Sequence, residues 1–540
     1  MTVPSDHRSR RSPVVATNGA VATSQPLAAQ AGLRMLQDGG NAADAAVAAS
    51  AVLAVVEPMS TGLGGDLFAL IWSAGERTAH AFNGSGRSPA AADLGDLARR
   101  GLPAIPESGP GVALAVSVPG AVDGWQRVLE RHGTMDLDRV LAPAIRYATE
   151  GFGVSPVVAR LWQRSAAKLV PSEAAAEYLP GGRAPVAGQR VSLPALAETL
   201  GRVAAEGPDV LYRGEIGARI AALVQQFEGW LTVDDLAAHT GEWVEPMSTG
   251  YRGTTLVECP PNGQGVAALV AAAVAAGLDA PDRSFGGAAW THLLIEAVKV
   301  GLDDAFSIVA DDAEGRRRAE ACLDPNRIAR VRSAISTERA GLPVPLSPFG
   351  PPRDTAFVCA IDGEGNGVSM ISSLFRAFGS GLVVPGTGII LQNRAALFST
   401  DPGHPNALAG GRRPFHTIIP ALLLRDGALT GTLGVVGGYQ QAQAHLQLLS
   451  RLVDGEMDPQ RALDQPRFSV DVEQSGRVRV EEGTSSEVVE ALEALGHRPL
   501  VVTGDDRLLF GTGQILTIDP DTKVVTGGTD PRHDGIVAGW

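Results

Sequence analysis

In this 540-residue chain the residue types able to do chemistry concentrate in three stretches. Thr355 heads the apolar run TAFVCAID, Gly437-Gly438 closes the run TLGVV, and Ser60-Thr61-Gly62-Leu63-Gly64-Gly65-Asp66 leads into LFALIW. A threonine hydroxyl is a weak nucleophile until a base takes its proton, and a Thr that opens a strand is first of all a β-branched residue suited to the pleat. A Gly-Gly pair after a strand reads as a turn, and the glycine-rich run before Asp66 as a turn entering a buried strand. Phosphate binding is not signalled, because neither G-x-x-x-x-G-K-[ST] nor a strand-preceded G-x-G-x-x-G is present. H-E-x-x-H, the G-x-S-x-G elbow and the kinase set are missing too. A metalloprotease or a Ser-His-Asp hydrolase would have to be assembled from residues without a signature.

The elements that must position these residues follow from periodicity. From Leu27 to Val56 small and apolar residues recur at helical spacing, interrupted once by Gly39-Gly40, with Asn41 where a helix N-cap belongs. Helical patterns alternate with loops from Val122 to about Ala310, apart from the strand-like TTLVECPPNGQG. Five prolines between Pro343 and Pro352 make Leu342–Asp354 an extended connector. Beyond it TAFVCAID, GVSMISSLF, SGLVVPGTGIILQ, IIPALLLRDGALTGTLGVVGG and LFGTGQILTID read as strands, some joined by Asp-Gly turns such as Asp362-Gly363 and Asp426-Gly427. A helix-rich first part thus meets a strand-rich last part at Asp354-Thr355. Apolar residues make up 44% and charged residues 19%, which is enough to bury a core, and this composition implies an α/β or α+β protein. The net charge of −14, without long Lys/Arg runs, points away from nucleic acid and anionic membranes as partners. Cys259, Cys322 and Cys359 form no C-x-x-C and fit reduced thiols in a cytosol. The polar, basic start from Met1 to Pro26 has no stretch of signal-peptide character, and no run reaches membrane-spanning length. The expected location is cytoplasmic.

Taken in order, a larger set of motifs carries more. Gly40-Asn41-Ala42-Ala43-Asp44-Ala45-Ala46, Thr61-Gly62-Leu63-Gly64-Gly65, Val118-Pro119-Gly120 with Gly124-Trp125, and Asp362-Gly363-Glu364-Gly365-Asn366 come first. Phe378-Gly379-Ser380-Gly381, Pro385-Gly386-Thr387-Gly388-Ile389, Arg413-Pro414, Gly437-Gly438 and Asp530-Pro531-Arg532 follow. From near Val15 to Trp540 the chain resembles the gamma-glutamyltransferase (gamma-glutamyltranspeptidase) family of N-terminal-nucleophile hydrolases. The resemblance implies a four-layer αββα sandwich and a precursor that cuts itself between Asp354 and Thr355. A large fragment 1–354 and a small fragment 355–540 would then form one intertwined catalytic heterodimer. Thr355 would be the nucleophile, and its new α-amine, with a reference pKa of roughly 7.7–8.0, the base. Gly437 and Gly438 fall on the family's oxyanion hole, and Ser373 on a hydroxyl that hydrogen-bonds the nucleophile.

The same comparison shows departures. The acidic residue that binds the substrate α-amine in the family falls on Leu397, a helping Asn on Phe375 and a Gln on Arg394. The Ser-Ser pair that contacts the α-carboxylate falls on His416 and Thr417. An arginine of the large fragment would fall on Ser85, with Arg87 two residues further on. Leucine and phenylalanine cannot face an ammonium, whose unpaired desolvation costs several kcal/mol. Arg394 and His416 can instead meet a carboxylate or carbonyl, with Asn393 ordering the loop. These substitutions, with Gly65-Asp66 and Pro260-Pro261-Asn262-Gly263-Gln264-Gly265, resemble the oxamate amidohydrolase and glutathione-hydrolase-like branch. The expected function is hydrolysis of a small carboxylate-bearing amide such as oxamate through an acyl-Thr355 intermediate, with neither metal nor cofactor. Gamma-glutamyl transfer or glutathione hydrolysis is the competing enzyme reading, and an unprocessed binding protein the third.

Overall fold

The computed structural model describes residues 11–280, 285–347, 355–472 and 477–540. Asp354 and residues 348–353 of the connector lie outside them. Gly39-Gly40 ends the helix Pro26–Gln37, and Asn41 starts Ala42–Val56 with a capping box. The Asn41 side chain accepts from the Ala43 and Asp44 N–H groups, while Asp44 accepts from the Asn41 N–H at 2.8 Å. Every residue of Ala42–Val56 is buried, because its alanines allow close approach on all sides. The helix Gly265–Ala275 is buried in the same way. Among the described residues no helix is long and apolar enough to cross a membrane.

Two antiparallel seven-stranded sheets form the centre. The first runs, in spatial order, Val14–Ala16, Val525–Thr529, Thr512–Ile518, Ala428–Val436, Ala421–Arg425, Thr254–Glu258 and Met247–Tyr251. The second runs Ile536–Gly539, Gly19–Thr23, Ala356–Asp362, Gly367–Ser373, Asp66–Ser73, Thr78–Gly84 and Glu242–Val244. Helices Ala42–Val56 and Pro26–Gln37 cover the second sheet, and Gly265–Ala275 and Gln440–Val453 the first, which gives the αββα order. Between the sheets Phe68, Phe357, Ile371, Ile418, Leu422 and Leu516 build a dry layer. Gly434 makes that layer thin: a Cβ there would lie 2.3 Å from the Phe357 ring.

Each sheet takes strands from both sides of residue 355, so the compositional contrast along the chain does not separate the layers. The run from Ser380 to Gln392 also differs from its strand-like reading. It is a loop with isolated bridges at Val383↔Ile390 and Gly64↔Leu391. Pro385-Gly386-Thr387-Gly388 turns the chain there, with Gly386 and Gly388 at φ of 67° and 65°.

Candidate active site

Strand register puts the candidate nucleophile in a row of polar groups. Ala356 pairs with Ser372 and Ser373 with Asp66, so Thr355, one residue before the ladder, stands across from Ser373. Because side chains alternate, Thr355 shares a face with Phe357, Ser373 with Ile371 and Asp66 with Phe68, all directed between the sheets. The Thr355 Oγ1 donates to Ser373 Oγ at 3.4 Å, and Ser373 Oγ accepts from the Phe375 N–H at 2.8 Å. Thr355 opens onto a cleft of about 670 Å³, which Ser24, Glu57, Arg376, Gly437 and Tyr439 also line.

Gly437 and Gly438 end the strand Ala428–Val436 with φ of 125° and 63°, values that favour glycine. The Gly438 carbonyl accepts from Gln264 Nε2 at 2.9 Å, and the N–H groups of Gln440 and Gln441 take the Gly437 and Gly438 carbonyls as the helix Gln440–Val453 begins. Gly437 lines the same cleft as Thr355, which sets this turn beside the hydroxyl. Gln264 also donates to the Thr417 carbonyl at 2.5 Å, and the Asn262 carbonyl accepts from the His416 N–H at 2.8 Å. The Pro260–Gly265 segment therefore clamps His416, Thr417 and the glycine turn together.

Behind the row lies a fully buried ionic group. His416 Nδ1 accepts from the Ile418 N–H at 3.3 Å, so Nε2 carries the proton and donates to Asp66 Oδ2 at 3.1 Å. Burial and the nearby Arg394 keep His416 neutral by pushing its pKa well below the usual value. Asp66 also accepts from the Gly86 N–H at 2.9 Å and from Gln392 Nε2 at 2.8 Å. Burial nevertheless pushes its carboxyl up to about 6, only partly opposed by Arg394. Burial likewise pulls Arg394 down to about 9. Arg394 makes one hydrogen bond, from Nη1 to Thr417 Oγ1 at 3.1 Å; its Nε and Nη2 have no partner among the described residues.

Phe375 connects this group to the cleft. The Arg394 and Arg376 guanidinium carbons lie 4.8 and 5.0 Å from the centre of its ring. Leu397 packs with Phe375 and Phe415 in an apolar cluster. Asn393 Oδ1 accepts from the Arg376 N–H at 3.3 Å, while its Nδ2 donates to the Glu107 carbonyl at 2.9 Å. Arg87 stands elsewhere: it is half-exposed and pairs with Glu242 at 2.9 Å and Asp311 at 2.7 Å. Ser85 Oγ donates to Asn83 Oδ1 at 2.6 Å, and its carbonyl accepts from Arg413 Nε at 2.9 Å.

The structure thus brings Thr355, Ser373, Gly437, Gly438, Phe375, Asn393, Arg394, Leu397, His416 and Thr417 into one continuous set of contacts. Sequence reasoning missed Asp66 as a partner of His416, and Arg376 and Glu107 altogether. An acid directly before the apolar LFALIW was the available signal for Asp66; nothing marked Arg376. One further group could be read as metal ligands, His292, Glu296 and His497. Its Glu296 is already engaged by Lys299 at 2.6 Å and by the Gly341 and Leu342 N–H groups, and none of the three lines the cleft.

The gamma-glutamyltranspeptidase family model matches residues 28–540. The chain is 36% identical to the glutathione hydrolase-like YwrD proenzyme of Bacillus subtilis, over 97% of this chain and 99% of that one. It is 32% identical to the oxamate amidohydrolase proenzyme of Klebsiella pneumoniae, over 97% and 99% of the two chains. A solved cephalosporin acylase from Bacillus halodurans superposes with a TM-score of 0.92 at 39% identity, covering 100% of this chain and 99% of that one.

Proposed function

The chain belongs to the gamma-glutamyltranspeptidase family, and from that premise we propose that it is a self-processing N-terminal-threonine amidohydrolase acting on carboxylate-bearing amides. The contact of Thr355 with Ser373 at the head of the cleft, beside the Gly437-Gly438 turn, is the observation that carries this reading. In the precursor Thr355 Oγ attacks the Asp354 carbonyl, and water opens the resulting ester. This leaves fragments 1–354 and 355–540 held together by their shared sheets. In the matured enzyme the α-amine of Thr355 takes the hydroxyl proton as Oγ attacks the substrate amide. The N–H groups of Gly437 and Gly438 receive the oxyanion, a contribution of roughly 10²–10³ per donor in comparable sites. The amine then gives its proton to the leaving group, and water or an acceptor amine releases the acyl group from Thr355.

Leu397 and Phe375 support an acyl group without an α-ammonium, since neither can pair with one. Arg394, with Thr417 and neutral His416 beside it, supplies positive potential toward a carboxylate. Oxamate is the smallest amide of this class, and the cleft has room for larger acids and leaving groups. The buried, unpaired Cys259, Cys322 and Cys359 suit a cytoplasmic enzyme.

The test is intact mass of the purified protein, followed by ammonia release from oxamate and hydrolysis of glutathione on the same sample. The expected result is two fragments, the smaller beginning at Thr355, with oxamate the faster substrate. Faster glutathione turnover would replace the substrate class by gamma-glutamyl amides, and an uncut, inactive chain would replace the enzyme by a binding protein.

A further inference from the structure

Several cations surround the cleft, and they differ in how they are held. Arg164 lies at the rim, half-exposed, 3.5 Å from Asp506, and Arg479 pairs with Asp471 at 2.9 Å. Arg394 is fully buried behind Phe375 and does not line the cleft. Arg376 lines it together with Thr355 and is only 8% exposed. Its Nη2 is paired with the Glu107 carboxylate, its guanidinium lies over the Phe375 ring, and its Nε has no partner among the described residues. Asn393 ties the Arg376 backbone to that of Glu107, so cation and carboxylate are fixed relative to one another. A planar guanidinium with one nitrogen on a carboxylate and a buried N–H still unpartnered among the described residues keeps donors for a second carboxylate.

Resting on the amidohydrolase reading above, we infer that Arg376 is the residue that anchors the substrate's carboxylate, with Glu107 holding the guanidinium in place until the acid arrives. The other charges that line this space are the exposed Lys168 and the carboxylates Glu57, which accepts from Ser24, Asp471, which faces Arg479, and Asp505 and Asp506, which face Arg160 and Arg164. Among the described residues that line the cleft, Arg376 is the buried cation, three residues along the chain from Ser373. Specificity for acids follows: an acyl group ending in a carboxylate gains a charged fork, and a neutral one of equal length does not.

The experiment compares glutaryl p-nitroanilide with its uncharged analogue butyryl p-nitroanilide, on the parent, Arg376→Gln, Arg376→Lys, Arg394→Gln and Glu107→Gln, after mass confirms that each is cut. The parent is expected to prefer the glutaryl compound. In Arg376→Gln the ratio of kcat/KM for the two anilides falls about 10- to 100-fold, through KM for the glutaryl compound. Arg376→Lys recovers part of it, and Glu107→Gln lowers the glutaryl KM by freeing the fork. Should Arg376→Gln fail to mature, the Lys and Glu107 variants carry the same comparison. A preference retained in Arg376→Gln, or lost only in Arg394→Gln, overturns the assignment while leaving the enzyme reading intact. A parent that is cut but shows no acid preference overturns the carboxylate reading and the anchor with it, and an uncut parent the reading as a whole.

Discussion

Two ionic groups in this protein are equally buried and behave in opposite ways. Away from Thr355, Asp530 is held by Arg467 at 2.6 Å and Arg532 at 3.0 Å, and Glu481 by Arg507 at 2.8 Å and by Arg532 at 2.5 Å. Burial alone would raise the Asp530 carboxyl, but Arg467 and Arg532 outweigh it and bring it down to about 2. Beside Thr355, Asp66 feels Arg394 and, more weakly, Arg413, without a direct ion pair to either, and burial wins. Arg467 donates to Asp530 and to the Phe510 and Gly511 carbonyls and leaves its Nε unpartnered, whereas among the described residues Arg394 donates to the Thr417 hydroxyl and leaves both Nε and Nη2 unpartnered. Burial alone therefore does not separate the two groups; the saturation of the carboxylate by counter-charges does. The matched group fastens Gly511 and Gly513, which pack against the Gly437 turn and its strand, while the unmatched one leaves Arg394 without a carboxylate partner, as the proposed handling of an anion would use.

The largest effect should come from the Thr355 end of the row. Thr355→Ala removes the hydroxyl and is expected to abolish both self-cleavage and turnover, read as a single band near 55.8 kDa and no ammonia release. A variant that still cuts itself would detach the nucleophile from this row. Next in size is the matched group. Asp530→Asn leaves Arg467 and Arg532 buried without their shared counter-charge and should cost about 3–5 kcal/mol in denaturant unfolding. A loss near zero would mean that saturation is not what distinguishes the two groups.

Helices were legible because their signals are local: Gly39-Gly40-Asn41 stops one helix and caps the next, and the capping box is present. Of the five runs read as strands after Thr355, only Ser380–Gln392 is not one, its β-type residues overruled by Pro385-Gly386 and Gly388, while short strands such as Phe468–Val470, Val525–Thr529 and Ile536–Gly539 carried too little apolar pattern to be read. The site was legible only as far as it reduces to chain neighbours and to the family resemblance. That Asp66 stands beside Ser373 is a fact of strand register, and register is fixed by packing across the whole sheet. Arg376 escaped because it lies in the loop after Gly367–Ser373, next to a φ of 77° at Phe375 that no residue pattern announces.

The contrast between the two groups also has a sign in pH. A carboxyl held at about 6 in the fold and at its ordinary 3.8 in the unfolded chain binds its proton more tightly when folded. Asp66 therefore adds stability below pH 4 that is lost as the pH rises through 6, by about 3 kcal/mol for two pH units. Relative to Asp66→Asn, the parent should lose that amount between pH 4 and 7 in denaturant titrations. Asp530 works the other way, since its stabilisation is present above its ordinary 3.8 and is lost as the pH falls toward 2. Equal slopes for the two groups would break the comparison.

Arg87 sets the lower bound. It touches two carboxylates, as the matched group does, but at 39% side-chain exposure water already solvates it, so saturation is worth little there. Arg413, only 2% exposed, reaches the same Glu242 at 3.1 Å, so that carboxylate keeps a partner if Arg87 is lost. Arg87→Ala is thus expected to change unfolding free energy by less than about 1 kcal/mol and to leave kcat/KM for oxamate at the parental value. A tenfold kinetic loss with unchanged stability would bring Arg87 to the substrate and extend the unmatched region to the protein surface.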